Sequence, residues 1–332
     1  MKRFFKFILW VIIILFLLFS ALSFRVIPKN ITYGVSFSKL HSEELGLPWK
    51  KVYLALLGDL QVKNFRLSAY WQDVEPKDGV FDFTVADYQM EKAKENNAKV
   101  ILGVGRRLPG WPECHAPEWE WPLSKDASET KQLQYIEKVV DRYKNYGNIT
   151  YWQVENEAYF TVFAKDWCRP FDEAFFQKEI ALVKKLDPVH PILVTDSGEL
   201  GGWWGAWKSG DVFGSSLYLY AWNKIIGPLR YPITPAFYRV RQNVSSVLLG
   251  NKKAILSELG LEPWLLTPIK DAPIATQLSR MDINKFNSMV SFAKDTGFGE
   301  QYLWGAEWWY YMKQNGHPEF WDAAKGIFSG NK

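Results

Sequence analysis

The feature that most constrains the fold is a repeated alternation of short apolar runs with longer helix-like segments. The strand-like runs are 31–38, 64–71, 99–105, 149–157, 191–196, 211–220, 253–258 and 299–305. Strands that alternate with helices pair in parallel, and eight such units close into a (β/α)8 TIM barrel of the α/β class. An open doubly wound sheet is the alternative, although its dinucleotide-binding form requires a Gly-x-Gly-x-x-Gly turn that does not follow the first run.

Helix-like segments lie between these runs. We predict helices at 45–60, 87–97, 128–146, 171–186, 234–249 and 281–296, and a closing helix at 318–327. The segments that follow the predicted strands are long and aromatic, whereas the helix-to-strand connections are short. Because the long loops after the strands form the active-site face of a barrel, we expect function to reside there. A single catalytic domain is predicted over 28–332.

The N-terminus carries a separate signal. Residues 7–24 contain no charge, and as a helix they would span about 27 Å, close to one hydrocarbon thickness. The three basic residues before this run favour a cytoplasmic N-terminus. We therefore predict that 1–27 is an uncleaved signal-anchor with a transmembrane helix at 7–24, which contacts the membrane and leaves the catalytic domain outside the cytoplasm. A signal peptide cleaved after about residue 23 is the alternative and would give a secreted protein.

The composition limits the kinds of partner that the protein is expected to bind. The net charge is only +4 and the basic residues form no stripe, so we predict no nucleic acid partner. The chain contains 17 tryptophans. Aromatic rings stack on the apolar faces of pyranoses, so a carbohydrate substrate is one explanation of this content, and an aromatic-rich core is the other.

The cysteines and histidines predict a disulfide and no metal. The chain has two cysteines, Cys114 and Cys168, and an even number in an exported chain indicates a disulfide. Two free thiols are the alternative. The chain has four scattered histidines, which do not form a ligand set. We predict no metal and no cofactor, and we expect a monomer.

Two glutamates about a hundred residues apart end the fourth and seventh predicted strands. They are Glu157, which follows Asn156, and Glu258. Hydrolysis of a glycosidic bond needs one carboxylic acid to protonate the leaving oxygen and one carboxylate to stabilise or attack the anomeric carbon. Glu155 shares strand parity with Glu157, and Glu262 lies four residues beyond Glu258, so these are the rival assignments.

The pattern resembles the clan A retaining glycoside hydrolases, a superfamily of (β/α)8 barrels that includes cellulases, mannanases and β-galactosidases. There the acid/base is the glutamate of an Asn-Glu pair ending strand four, and the nucleophile is a glutamate ending strand seven. The resemblance implies that Glu157 is the acid/base, that Glu258 is the nucleophile, and that Asn156 holds the sugar 2-hydroxyl. It also implies carboxyl groups about 5–5.5 Å apart.

The same resemblance implies residues that bind substrate. An arginine on strand two beside the nucleophile, a tyrosine on strand six bonded to it and a tryptophan flooring the sugar at strand eight match Arg66, Tyr218 and Trp304. The segment 71–83 resembles the stretch after strand two in several members. The predicted substrate-binding set is Arg66, Asn156, Tyr218, Trp304, Trp71, Glu307 and Trp222.

The sequence therefore predicts an exported retaining glycoside hydrolase that cleaves β-glycosidic bonds of a poly- or oligosaccharide by double displacement. A transglycosylase that remodels an extracellular polysaccharide and a non-catalytic glycan-binding barrel are the alternatives. The fourth strand reads Gln-Val-Glu-Asn-Glu rather than the commoner Trp-Asn-Glu, and the sixth has no clear His-x-Tyr. The individual family and the sugar are accordingly left unassigned.

Overall fold

The computed structural model describes residues 26–162, 164–223 and 225–330, together with the isolated positions 4, 10, 23 and 24. The strands are β1 (Thr32–Ser36), β2 (Asn64–Ser68), β3 (Lys99–Val104), β4 (Ile149–Val154), β5 (Ile192–Asp196), β6 (Val212–Leu217), β7 (Tyr220–Asn223), β8 (Gly227–Arg230), β9 (Ala254–Gly260) and β10 (Glu300–Trp304). Eight of them form a closed parallel barrel in the order β1-β10-β9-β6-β5-β4-β3-β2, and β7 pairs with β8 as a separate antiparallel hairpin. The predicted (β/α)8 barrel is confirmed.

The helices pack around this barrel. They are α1 (Lys39–Glu44), α2 (Trp49–Gly58), α3 (Trp71–Val74), α4 (Thr84–Glu95), α5 (Lys125–Tyr143), α6 (Glu173–Leu186), α7 (Trp204–Ser209), α8 (Pro235–Leu249), α9 (Ile274–Arg280), α10 (Ile283–Lys294), α11 (Ala306–Gln314) and α12 (Glu319–Ser329). Ser124, Asp172 and Asp282 precede α5, α6 and α10, and each side chain accepts a hydrogen bond from a first-turn amide. These caps explain where the predicted helices begin.

The interior of the barrel is filled with side chains at its lower end. Ile101, Tyr151, Leu193, Val212, Ile255 and Tyr302 form one buried cluster contributed by six different strands. A Cβ atom at Gly34 would lie 2.6 Å from the Tyr302 ring, so only glycine fits beside it on β1. Because the barrel is plugged here, a substrate can approach only from the carboxyl ends of the strands.

The two cysteines form the predicted disulfide. Cys114 and Cys168 are bonded, with their Cα atoms 5.5 Å apart. The bond joins the long loop after β3 to the long loop after β4 at the carboxyl face of the barrel.

The predicted membrane anchor at 7–24 falls almost entirely outside the described residues. In the part of the chain that the structure describes, we find no helix with the length and apolarity needed to span a bilayer. The assignment of 1–27 and the location of the catalytic domain outside the cytoplasm stay predictions.

Candidate active site

Glu258 lies inside β9 rather than at its end, at an irregularity of the barrel. The pairing of β9 with β6 passes from Leu256 directly to Glu258, and its pairing with β10 also changes register at this place. A bulge of this kind re-aims a side chain and is common beside active sites. The carbonyl of the skipped residue, Ser257, accepts a hydrogen bond from the Ser36 hydroxyl at 3.0 Å.

Two side chains hold the Glu258 carboxylate from different sides. Oε1 forms an ion pair with Nη1 of Arg66, and Oε2 accepts a 2.8 Å hydrogen bond from the hydroxyl of Tyr218. Arg66 and Glu258 are buried, whereas Tyr218 is partly buried, so solvent screens the ion pair only weakly. The arrangement places one cation and one hydroxyl donor on the two oxygens of Glu258.

Arg66 also connects Glu258 with the end of β4. Its Nη2 donates to Oδ1 of Asn156 at 2.7 Å, and its Nε donates to Oε1 of Gln153 at 2.6 Å. The hydroxyl of Thr195 donates to the same Asn156 oxygen at 3.2 Å. The contacts from Arg66 and Thr195 therefore occupy the Asn156 amide oxygen with protein donors.

The chain leaves β4 through a sharp turn instead of continuing as a strand. Glu155 has φ 57° and Glu157 has φ 45°, a left-handed conformation that is uncommon for residues other than glycine. The prediction that these two glutamates share a strand face is wrong, because β4 ends at Val154. Such strained backbone concentrates at functional sites.

The turn sends the two glutamates into different surroundings. The carboxylate of Glu155 accepts hydrogen bonds from the backbone amides of Arg106 and Arg107, at 2.7 and 2.5 Å. It therefore braces the loop after β3, where Gly105 leaves it room: a Cβ atom there would lie 2.6 Å from the carboxyl carbon. The backbone amide of Glu157 donates to Thr195 Oγ1 at 2.9 Å.

Glu157 is electrostatically the opposite of Glu258. No salt bridge to its carboxylate is found among the described residues. Burial, together with the negative charges of Glu113 and Glu258, raises the pKa of Glu157 well above its usual range. A carboxyl group with a raised pKa and a carboxylate paired with a cation therefore lie close enough to interact at one face of the barrel.

Comparison with known proteins finds similar sequences over part of the chain. The sequence profile described as Glycosyl hydrolase family 10 matches residues 56–188, a span that includes Arg66 and Glu157. A β-1,4-xylanase of Dictyoglomus thermophilum is 30% identical over 134 residues, covering 40% of this chain and 34% of the xylanase. Both matches support the resemblance to the clan A glycoside hydrolases over this part of the chain.

Solved structures show the same fold at low sequence identity. Xylanase XynB of Paenibacillus barcinonensis superposes with a TM-score of 0.55 at 15% identity, covering 83% of each chain. The exo-β-1,4-mannosidase Op5Man5 from Opitutaceae bacterium strain TAV5 also gives 0.55, at 13% identity, covering 83% of this chain and 52% of the mannosidase. The chain spans about a third of the curated xylanase and about half of the mannosidase.

Trp304 lies at the end of β10, where the superfamily resemblance places a sugar floor. Its Nε1 donates to Oε1 of Glu262 at 2.7 Å, and its ring stacks on His41 with centroids 5.7 Å apart. The other Glu262 oxygen lies 2.7 Å from His41 Nε2. Burial alone would lower the pKa of His41, but Glu262 and Glu44 outweigh that effect and raise it well above its ordinary value. Glu262, the rival nucleophile, is thus engaged in orienting Trp304.

A third carboxylate, Glu113, was not identified from the sequence. Its Oε2 pairs with Arg107 Nη2 at 2.8 Å, and its Oε1 accepts from Asn156 Nδ2 at 3.3 Å. Burial raises the pKa of Glu113, against the opposing charge of Arg107. The sequence offered only one signal for it, its position directly before Cys114 in a loop at the active-site face.

Of the predicted substrate-binding residues, two are completely buried and a third lies on the β7–β8 hairpin. Trp71 is completely buried in α3, with its Nε1 bonded to Glu75 at 2.8 Å, so it has no face to offer a sugar and its prediction is corrected. Glu307 is also completely buried; one oxygen accepts from the Ser38 amide at 2.6 Å. Trp222 lies on the β7–β8 hairpin, under the guanidinium of Arg280.

Proposed function

We propose that the protein is a retaining glycoside hydrolase that cleaves β-glycosidic bonds of a poly- or oligosaccharide. The observation that carries the proposal is the contrast between the two carboxyl groups. Glu258 is paired with Arg66 and bonded to Tyr218, whereas Glu157 has no cationic partner among the described residues and a raised pKa. An ionised nucleophile beside a protonated acid is the state that double displacement needs at rest.

The proposed reaction proceeds in two displacements. Glu258 attacks the anomeric carbon while Glu157 transfers its proton to the leaving glycosidic oxygen, which gives a covalent glycosyl ester and a free alcohol. Glu157, now ionised, takes a proton from a water molecule that attacks the same carbon, and the ester bond to Glu258 breaks. The loss of charge on Glu258 during the intermediate lowers the pKa of Glu157, which suits its change from acid to base.

β-1,4-Xylan is the first substrate to test, since the curated relative is named a β-1,4-xylanase. β-Galactosides and β-mannosides come next, because structural relatives carry those names. A transglycosylase would use the same two glutamates with a sugar acceptor in place of water. A binding barrel without catalysis has no need for a raised pKa at Glu157, so it is the weaker alternative.

The test is a panel of chromogenic aryl β-glycosides with Glu157→Gln, Glu258→Gln and the control Glu118→Gln, an exposed glutamate of the loop after β3. We expect kcat to fall at least about a thousandfold in the first two, because each removes a group that bonds to the reacting atoms. Azide should restore turnover to both: in the Glu157 variant the product is a β-glycosyl azide, and in the Glu258 variant an α-glycosyl azide. Wild-type rates in both variants would refute the assignment.

We further propose that the domain comprising 28–332 acts outside the cytoplasm as a monomer, held to the membrane by 7–24 or released by cleavage. The support is the uncharged N-terminal run after basic residues, and the disulfide between Cys114 and Cys168, a bond that persists in oxidising compartments. Cell fractionation with a tagged chain, followed by N-terminal sequencing of the exported product, would distinguish anchor from cleaved signal.

A further inference from the structure

A cleft of about 290 Å³ lies beside the candidate active site, between the β7–β8 hairpin and the turn from α9 to α10. The residues that line it are Tyr220, Ala221, Pro228, Leu229, Arg230, Trp264, Ser279, Arg280 and Lys285. The hairpin is an addition to the barrel, inserted after β6, and it supplies more than half of the lining.

The cleft is positively charged. Its lining includes Arg230, Arg280 and Lys285 and no acidic residue. The nearest carboxylate to Lys285 is that of Asp282, whose Oδ2 lies 4.0 Å from Nζ at the limit of ion pairing. Within the described part of the chain, Arg280 forms no ion pair.

Arg280 and Lys285 are held in place and still have unused hydrogen-bonding capacity. The Arg280 guanidinium lies 4.6 Å from the centroid of the Trp222 ring, and its buried Nε has no hydrogen-bond partner among the described residues. The Lys285 ammonium donates to the carbonyls of Ser279 and Arg280, at 2.7 and 3.2 Å. Among the described residues neither cation has a carboxylate closer than 4.0 Å, so an anionic group from outside the chain would supply the missing partner.

Aromatic rings connect this cleft with the catalytic carboxylates. Trp264 lines the cleft and meets the ring of Tyr218 edge-on, with centroids 5.5 Å apart. The Tyr218 hydroxyl in turn donates to Glu258. A sugar in the cleft would therefore lie one or two residues along a glycan from the bond that Glu258 attacks.

We propose that this cleft is a subsite for an acidic sugar residue of the glycan substrate. The carboxylate or sulfate of that residue binds Arg280 and Lys285, and its ring packs on Trp264 and Tyr220. Arginine suits this task because its planar fork matches the oxygens of such groups. The inference rests on the proposed function for its choice of ligand class, and it specifies a polyanionic or branched acidic β-glycan rather than a neutral one.

The test measures binding by calorimetry to full-length Glu258→Gln protein, so that no probe is consumed. The acidic probe is a β-1,4-xylo-oligosaccharide with one glucuronic acid branch, and the neutral probe is the same molecule after reduction of its carboxyl group. We expect the acidic probe to bind about tenfold more tightly, since a hydrogen bond to a charged group is worth about that factor. Inorganic sulfate and free glucuronate as competitors distinguish a sulfated sugar from a uronic acid.

The variants are Arg280→Gln and Lys285→Gln in the same background, with Lys138→Gln on the exposed face of α5 as the matched loss of charge. Arg280→Gln should abolish the preference for the acidic probe, Lys285→Gln should reduce it, and Lys138→Gln should retain it. Equal affinity for the two probes, or a preference that survives Arg280→Gln, would overturn the subsite. Failure of the wild-type protein to hydrolyse any aryl β-glycoside would count against the proposed function instead, and the binding preference would still be measurable.

Discussion

Two glutamates of the same chemical type acquire opposite properties from their neighbours. Glu258 forms an ion pair with Arg66 and accepts a hydrogen bond from the Tyr218 hydroxyl. Glu157 is buried and lies near the negative charge of Glu113. The separation of two carboxyl groups by environment is the general way in which one fold supplies both an acid and a nucleophile at neutral pH.

Replacement of Glu113 by glutamine should move the alkaline limb of the kcat/KM pH profile to lower pH. Removing a negative charge near Glu157 makes its ionised form less unfavourable, so its pKa falls and the acid is lost at lower pH. The profile is measured on an aryl β-glycoside, with the exposed Glu118→Gln as control. An alkaline limb that stays in place or moves upward would show that Glu113 does not set the protonation of the acid.

Glu307 should make the stability of the protein depend on pH. Burial raises its pKa to about 7, so the folded state binds this proton more tightly than the unfolded state between the ordinary value near 4.5 and 7. The contribution to the free energy of unfolding is present below that window and is lost as pH rises through 7. Its second oxygen has no hydrogen-bond partner among the described residues, which fits a protonated acid.

The variant Glu307→Gln keeps an oxygen for the Ser38 amide and cannot ionise. Between pH 5 and 8 the stability of the wild type relative to this variant should decline, by about 3 kcal/mol at most, in urea unfolding. Glu91→Gln, on the exposed face of α4, is the control. Parallel pH dependence of wild type and Glu307→Gln would contradict the assignment.

Helices and strands with a regular sequence pattern could be predicted, and irregular ones could not. All eight barrel strands were predictable because each is an apolar run in a fixed alternation with helices. The turn at Glu155 and Glu157 was not, because its left-handed backbone leaves no mark in residues other than glycine. Helix α11 was missed since its core-facing tryptophans, Trp308 and Trp309, follow each other without the polar spacing of an amphipathic helix.

Roles that depend on long-range contacts were equally hidden. Tyr218 was predicted beside the nucleophile and is bonded to it, because strand order alone places it there. Trp71 was predicted at the sugar and is buried in the core, because the resemblance of 71–83 gives the segment but not the direction of its side chain. Glu113 and Glu262, which pairs with His41 of α1, come from loops whose courses no local pattern specifies.

The disulfide lies directly beside Glu113, because Cys114 follows Glu113 in the chain. We expect the bond to hold Glu113 in position. The double variant Cys114→Ser/Cys168→Ser should lose about 2–4 kcal/mol in the free energy of unfolding, owing to the larger entropy of the uncrosslinked chain. It should also lose kcat/KM even where it is fully folded. Urea unfolding and steady-state kinetics of the same preparation test both statements; unchanged kcat/KM in folded protein would show that the loop keeps its position without the bond.

On the scale of the whole molecule, the barrel divides into a packed lower half and a reactive upper face. The cluster around Tyr302 fills the lower end, and the carboxyl groups of Glu113, Glu157 and Glu258 converge at the other end, the first two on the loops after β3 and β4 and the third within β9. The resemblance to the superfamily could be recognised from the sequence because the two glutamates come at the fourth and seventh strands of the barrel. The sugar could not, because no local pattern specifies the shapes of the long loops at this face.

We propose that Glu157 and Glu258 act by double displacement, which makes the product retain the configuration of the substrate. Proton NMR of the first product formed from an aryl β-glycoside, recorded before mutarotation, tests this most directly. The account predicts that the β-anomer appears first and converts slowly to the equilibrium mixture. Initial formation of the α-anomer would mean single displacement by water, and it would contradict the role given to Glu258.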